Sequence, residues 1–319
     1  MGLVPRLGNV DLIENVELHG HLACFGISNQ RYVLRTYRST WDAVKAGRSE
    51  ETLSPESRRV DLAGVSISYA EQGRSDGAPV LLHPGFGDSW RSFEPVLSHL
   101  PESIRGFAIS PRGHGDSSHP RSGYRWSDYA GDVAAFMDVV HVGAAVVVGH
   151  SSSCFVAQRF ALDHPQRALG LVLIGCPLTL KGHPGLLRLW ESSVSKLEDP
   201  IDPGFVREFQ ESATGAVSSE FLESMVAETM KVPAGVWRAT IEGFLEEDLT
   251  GELGNIRAPT LLIWGDRDPI APRADQDAIA AAVPDSRLAV HGGSGHSPHW
   301  ENPAEIASDI VGFVGKLAQ

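Results

Sequence analysis

Cysteine is scarce in this chain, with three among 319 residues, Cys24, Cys154 and Cys176. An odd, sparse set excludes a disulfide framework and suits a reducing compartment. Cys154 and Cys176 sit in apolar stretches and read as small buried side chains. Basic residues are also few: 27 Lys and Arg stand against 40 Asp and Glu, a formal net charge of −13. That balance argues against nucleic acid or an anionic membrane surface as a partner. The acidity is spread along the chain, so it serves solubility. Long apolar runs are absent, and no stretch approaches the roughly 18 residues of a membrane span. The first eleven residues lack the apolar stretch of a signal peptide, and Arg6 stands where a myristoylation motif needs Ser or Thr. A cytoplasmic chain is therefore expected. Repeats and low-complexity tracts are lacking too.

What is present is an alternation. From about Arg59 onward, short apolar runs (65–70, 79–83, 106–109, 171–174, 259–264 and 287–290) alternate with amphipathic stretches at 89–97, 127–140, 152–162, 272–282 and 303–317. Strands alternating with helices predict βαβ units and a doubly wound, mostly parallel sheet. Two regions break the rhythm. No strand pattern occurs between Ile174 and Leu261, where Phe205, Phe209, Phe221, Val226, Trp237, Ile241 and Phe244 fall at helical spacing. An insertion of that length exceeds an ordinary crossover, and 177–256 reads as a helical cap over the sheet's carboxyl edge. Segments 58–176 and 257–319 then form the core. Residues 1–57 read as an extension of unassigned role. Val33, Leu34, Tyr37, Trp41 and Val44 share one helical face there, and the polar stretch 46–59 reads as a linker.

The richest segment is Ala144-Ala145-Val146-Val147-Val148-Gly149-His150-Ser151-Ser152-Ser153. A β-branched run ending abruptly at Gly reads as a strand buried on both faces. A tight strand-to-helix turn would hold the Ser151 hydroxyl out at the sheet's carboxyl edge, with a helix N-terminus aimed at the same spot.

From Arg59 to the C-terminus the chain resembles the α/β-hydrolase fold family, in particular its capped members such as carboxylesterases and C–C bond hydrolases. Four motifs in order carry the resemblance: His83-Pro84-Gly85-Phe86-Gly87-Asp88-Ser89-Trp90; Arg112-Gly113-His114-Gly115-Asp116-Ser117; Gly149-His150-Ser151-Ser152-Ser153; and the pair Trp264-Gly265-Asp266-Arg267-Asp268-Pro269 with Gly295-His296-Ser297-Pro298-His299-Trp300-Glu301. The chain departs from the family pattern twice. Ser153 stands where the elbow has Gly, and Pro84 stands where the oxyanion loop has His, which removes that loop's usual anchoring hydrogen bonds.

The resemblance implies an eight-stranded sheet and Ser-His-Asp chemistry. Ser151 would be the nucleophile and His296 the base, with His299 as runner-up. Asp268 would orient the base, with Asp266 as the alternative. The backbone N–H groups of Phe86 and Ser152 would form the oxyanion hole. The Arg112-Gly113-His114-Gly115 run reads as a structural turn, and Trp300 and Glu301 as ties between the C-terminal helix and the His296 loop. His296 and His299 lack the companions of a zinc motif, so neither metal nor cofactor is expected. Serine at the elbow excludes the dehalogenase and epoxide hydrolase mechanisms. The expected reaction is hydrolysis of small to medium apolar esters or lactones, in a pocket lined by Trp90, Trp190, Trp237 and Phe244. Alternatives are C–C bond hydrolysis or lyase chemistry with the same residues, or a ligand-binding or signalling protein on this fold. Oligomeric state is not legible.

Overall fold

In β5 (Ala145–His150) every residue is buried, and its side chains divide by parity. Val146 and Val148 enter one apolar layer and Val147 the other. The same split runs through β3 (Ala78–His83), where Val80 and Leu82 oppose Leu81, and β7 (Thr260–Gly265), where Leu261 and Ile263 oppose Leu262. Strands with a period of two and no polar face require helices on both sides.

The computed structural model describes residues 56–317. Within them eight strands form one sheet in the order β1-β2-β4-β3-β5-β6-β7-β8. β1 (Glu56–Leu62), β2 (Val65–Gln72) and β4 (Ile104–Ile109) are joined antiparallel. β4, β3, β5, β6 (Ala168–Ile174), β7 and β8 (Ser286–His291) run parallel. This is the doubly wound, mostly parallel sheet the alternation predicted. After β3 the chain passes to β4 on one side and then returns to β5 on the other, so the winding reverses between β3 and β5. The carboxyl ends of strands at such a reversal border a natural crevice.

One layer packs α2 (Trp126–Val139) and α3 (Ser153–Asp163) on the sheet; the other packs α1 (Glu94–Leu97) and α10 (Pro303–Leu317). α10 buries Ile306, Ala307, Ile310, Phe313 and Val314, the spacing of a single apolar stripe. Between β6 and β7 lie α4 (Pro184–Ser192), α5 (Pro203–Ser212), α6 (Ser219–Thr229) and α7 (Ala234–Glu246), with no strand among them. α8 (Arg273–Ala282) and the short α9 (Pro298–Glu301) complete the α-helices among the described residues.

β1 corrects the sequence reading, which ran a linker through residues 46–59. The described strand runs from Glu56 and, among the described residues, pairs only with β2. An edge strand with exposed Arg58 and Arg59 carries little apolar periodicity, and charge is how such edges stay soluble. Residues 1–55 and 318–319 lie outside the described residues, and with them Cys24, the helical face at Val33–Val44 and nearly all of the N-terminal extension. Cys154 and Cys176 are free and buried, and burial pushes the Cys154 thiol well up. No helix among the described residues is long and apolar enough to cross a membrane.

Candidate active site

The elbow after β5 is built by close approach. A side-chain carbon on Gly149 would lie 2.3 Å from the carbonyl oxygen of Ser153, so only glycine lets α3 start there. Ser151 at the apex has φ +53°, a left-handed conformation that non-glycine residues rarely adopt. Its N–H is anchored on the Ile174 carbonyl at 2.9 Å, which ties the turn to the end of β6.

The Ser151 hydroxyl lies 2.8 Å from His296 Nε2, and His296 Nδ1 lies 2.8 Å from Asp268 Oδ2. The imidazole is 1% exposed, and the Asp268 side chain has no exposure. The other Asp268 oxygen accepts the N–H groups of Ile270 and Ala271 at 2.8 and 2.9 Å, so the carboxylate is held at both ends. Thus 145 residues of chain separate groups brought within hydrogen-bonding reach. Asp268, rather than Asp266, meets the imidazole. Asp266 instead accepts the Gly293 N–H and braces the turn after β8. His299 is also elsewhere, with Nε2 on Ser92 Oγ at 3.2 Å. The His296 loop is tightly supported. Both Glu301 oxygens accept the Gly295 N–H, and one also takes the N–H of Gly215, between α5 and α6. The expected tie through Glu301 therefore reaches the inserted helices as well. Trp300 donates to Ser92 Oγ.

His150, a residue of the elbow motif with no expected role of its own, helps set this loop. Its Nε2 is 3.1 Å from the His296 carbonyl. A carbonyl only accepts, so Nε2 carries the hydrogen. Burial, with the neighbouring His299 and His296, pushes its pKa well below the usual value, and the ring stays neutral.

The two departures from the family pattern, Pro84 in the loop after β3 and Ser153 at the start of α3, meet in space. The Ser153 hydroxyl donates to the Pro84 carbonyl, while His83 Nδ1 lies 2.7 Å from Ser153 Oγ and 3.2 Å from the same carbonyl. With the hydroxyl hydrogen on Pro84, Nδ1–H must be the donor. Burial lowers the His83 pKa to about 4, which keeps that ring neutral. The anchor expected to be lost with Pro84 is therefore supplied by Ser153. The Phe86 N–H, one of the expected oxyanion donors, points to Ser152 Oγ at 3.1 Å.

These groups border a cavity of about 500 Å³ lined by Phe86, Ser151, Ser152 and His296 from the sheet side, and by Leu186, Leu189, Phe205 and Phe209 from the inserted helices. Of the four side chains expected to line it, Phe244 does so. Trp237 is fully buried one layer behind, its ring 4.7 Å from Phe86 and 4.9 Å from Phe209 between centroids. Trp90 belongs to the core layer of α1 and α10, with the Arg91 guanidinium over its ring. Trp190 follows the lining residue Leu189 by one position, a rotation of about 100° that turns it away. Aromatic content alone does not reveal which face a helix presents. Trp300, read from sequence only as a tie, does line the cavity.

Asp88, which sequence reasoning gave no role, also lines it. The carboxyl is 4% exposed, accepting Gln210 Nε2 at 2.9 Å and Ser92 Oγ at 3.1 Å. Gln210 also donates to Thr229 Oγ1 at 2.6 Å, so the loop after β3, α5 and α6 share one polar network. Burial pushes the Asp88 pKa up to about 7, with the two neutral donors pulling it back only in part. The single acid in the His83–Trp90 motif was the available signal. Among the described residues no group of three or more His, Cys, Asp or Glu side chains is arranged to hold a metal ion.

Residues 78–303 match the family model described as alpha/beta hydrolase fold. The chain is 29% identical over 273 residues to a non-heme chloroperoxidase of Streptomyces lividans, covering 79% of this chain and 96% of the relative. Among solved structures it is similar to the esterase RhEst1 from Rhodococcus sp. ECU1013, with TM-score 0.72 and 26% identity over 83% of this chain and all of that one. It is also similar to Est816, an N-acyl homoserine lactone degrading enzyme, with TM-score 0.70 and 27% identity over 80% of this chain and 100% of that one.

Proposed function

The chain belongs to the α/β-hydrolase fold family, and on that premise we propose that it hydrolyses carboxylic esters, lactones included, through an acyl-enzyme on Ser151. The observation that carries this reading is the line from Ser151 Oγ through His296 to Asp268, two contacts of 2.8 Å each, opening into a cavity with mostly apolar walls.

Each group has a task fixed by its contacts. Ser151 Oγ attacks the substrate carbonyl and forms the new C–O bond as its proton passes to His296 Nε2. Asp268 holds Nδ1–H, which keeps Nε2 the accepting nitrogen and stabilises the imidazolium. The carbonyl electron pair moves onto oxygen, where the Ser152 N–H at the start of α3 stabilises it, with the Phe86 N–H of the loop after β3 behind the Ser152 hydroxyl on which it ends. The leaving alcohol takes the proton from His296. Water activated by the same imidazole then cleaves the acyl-enzyme and releases the acid. Residues 177–256 act in this reading as a cap, whose Leu186, Leu189, Phe205 and Phe209 select small to medium apolar acyl or alkoxy groups.

The test is labelling with a fluorophosphonate, mapping of the modified residue, and turnover of p-nitrophenyl esters of graded chain length. Ser151 is expected to carry the label, and Ser151→Ala to lower kcat by about 10⁶ while remaining folded. Substantial esterase activity in Ser151→Ala would refute the reading. The likeness to a chloroperoxidase favours one second reading. Hydrogen peroxide in place of water at the acyl-enzyme would give a peroxyacid and free Ser151, detectable as acetate- and peroxide-dependent bromide oxidation that Ser151→Ala lacks.

A further inference from the structure

Ser152, the residue after the proposed nucleophile, offers the site more than its backbone N–H. Its side chain is placed more tellingly. Ser152 has helical dihedrals, φ −55° and ψ −28°, and its hydroxyl does not cap α3. Instead Ser152 Oγ accepts the Phe86 N–H at 3.1 Å, and the residue is 6% exposed on the wall of the cavity beside Ser151. A hydroxyl has one hydrogen and two lone pairs. Among the described residues no acceptor takes the hydrogen of Ser152, in contrast to Ser153, whose hydrogen is committed to Pro84. The Phe86 N–H therefore ends not on open space but on an oxygen that can itself donate.

We propose that the Ser152 hydroxyl is a catalytic residue, a side-chain oxyanion donor that relays the Phe86 N–H to the substrate's carbonyl oxygen. The proposal rests on the reading of Ser151 as nucleophile. As the Ser151 Oγ–C bond forms and the carbonyl π pair becomes an oxyanion, that oxygen accepts the Ser152 O–H. The backbone N–H of Ser152 lies beside it. The Ser152 proton is shared but not transferred, and it stays on Oγ when the intermediate collapses. Two features favour donation. Phe86 N–H withdraws electron density from Oγ and so strengthens its O–H as a donor, the cooperative effect of a hydrogen-bonded chain. The helical backbone and the Phe86 contact also hold Oγ in place before charge develops, so little reorganisation is needed. The physical rival is that Ser152 Oγ merely blocks the Phe86 N–H and must swing aside. The two predict opposite signs when the hydroxyl is removed.

The experiment compares the wild type with Ser152→Ala, Ser152→Cys and Ser152→Thr on p-nitrophenyl butyrate, together with inhibition by a trifluoromethyl ketone, which adds to a serine to form an oxyanion. For Ser152→Ala, kcat is expected to fall by about 10- to 100-fold with KM changed less than about twofold. The inhibition constant of the ketone is expected to rise by the same factor. Ser152→Cys keeps the volume with a weak donor and is expected to show a comparable loss, while Ser152→Thr restores much of the rate. A merely structural role would not link kcat to ketone affinity while sparing KM. Unchanged or raised kcat in both Ser152→Ala and Ser152→Cys would overturn the proposal, and Ser152→Cys tests it alone if Ser152→Ala does not fold. Failure of the fluorophosphonate to label Ser151 in the wild type would instead bring down the hydrolase reading itself.

Discussion

Replacing Asp88 by asparagine should stabilise the protein at alkaline pH and leave it nearly unaltered under acid. The carboxyl is 4% exposed and meets only neutral donors, Gln210 and Ser92. Its pKa is raised from 3.8 to about 7 by burial. The folded chain thus keeps this proton up to near neutrality, whereas the unfolded chain releases it above about pH 4. Between those values the native state binds more protons, so this group lowers stability as pH rises, by up to about 1.4 kcal/mol per pH unit. A shift of roughly three units amounts to about 4 kcal/mol in full, of which about 2–3 falls between pH 5 and 8. Asparagine is neutral throughout and copies the protonated acid: its carbonyl accepts from Gln210 and its amide donates to Ser92 Oγ, which then turns its hydrogen toward His299. Urea unfolding at pH 5, 6, 7 and 8 measures the effect. The advantage of Asp88→Asn over wild type should grow by about 2–3 kcal/mol across that range. Parallel pH profiles for the two proteins would refute the reasoning.

Asp268→Asn should lower kcat on p-nitrophenyl esters by about 10⁴, since an amide at Nδ1 favours the wrong imidazole tautomer. Asp266→Asn, whose carboxylate braces only the Gly293 turn, should change kcat less than about twofold, and equal losses in the two variants would contradict the assignment. Ser153→Gly removes the hydroxyl that holds Pro84 and should cost about 1 kcal/mol in urea unfolding. The same variant should lower kcat by loosening the loop that carries Phe86. Unaltered stability and turnover would show that Pro84 needs no such anchor.

Much of this molecule follows from short-range pattern. Parity of the apolar residues in β3, β5 and β7 states that helices cover both faces of a parallel sheet, because a strand can bury alternate side chains only in opposite directions. The edge strand β1 escaped that reading because exposed Arg58 and Arg59 leave it only Val60 and Leu62 as an apolar period. The elbow around Ser151 was legible because Gly149 and a hydroxyl at a strand-to-helix turn form a local device. The order Ser151, Asp268, His296 was likewise open to inspection.

Tertiary structure alone decided which of these side chains touch. Asp268 and Asp266 are two residues apart and chemically identical, yet only Asp268 faces His296, because the turn after β7 hangs it on the N–H groups of Ile270 and Ala271. Ser153 and Pro84 each looked like a defect, and their compensation appears only when β3 and β5 lie side by side. Trp237 and Phe244 share one helix and one composition, but a single layer of packing separates cavity wall from buried core. Sequence fixes direction along an element, since periodicity is set by the backbone. Contacts between segments more than a hundred residues apart, such as Gln210 with Asp88, depend on how whole elements stack, which no local period encodes.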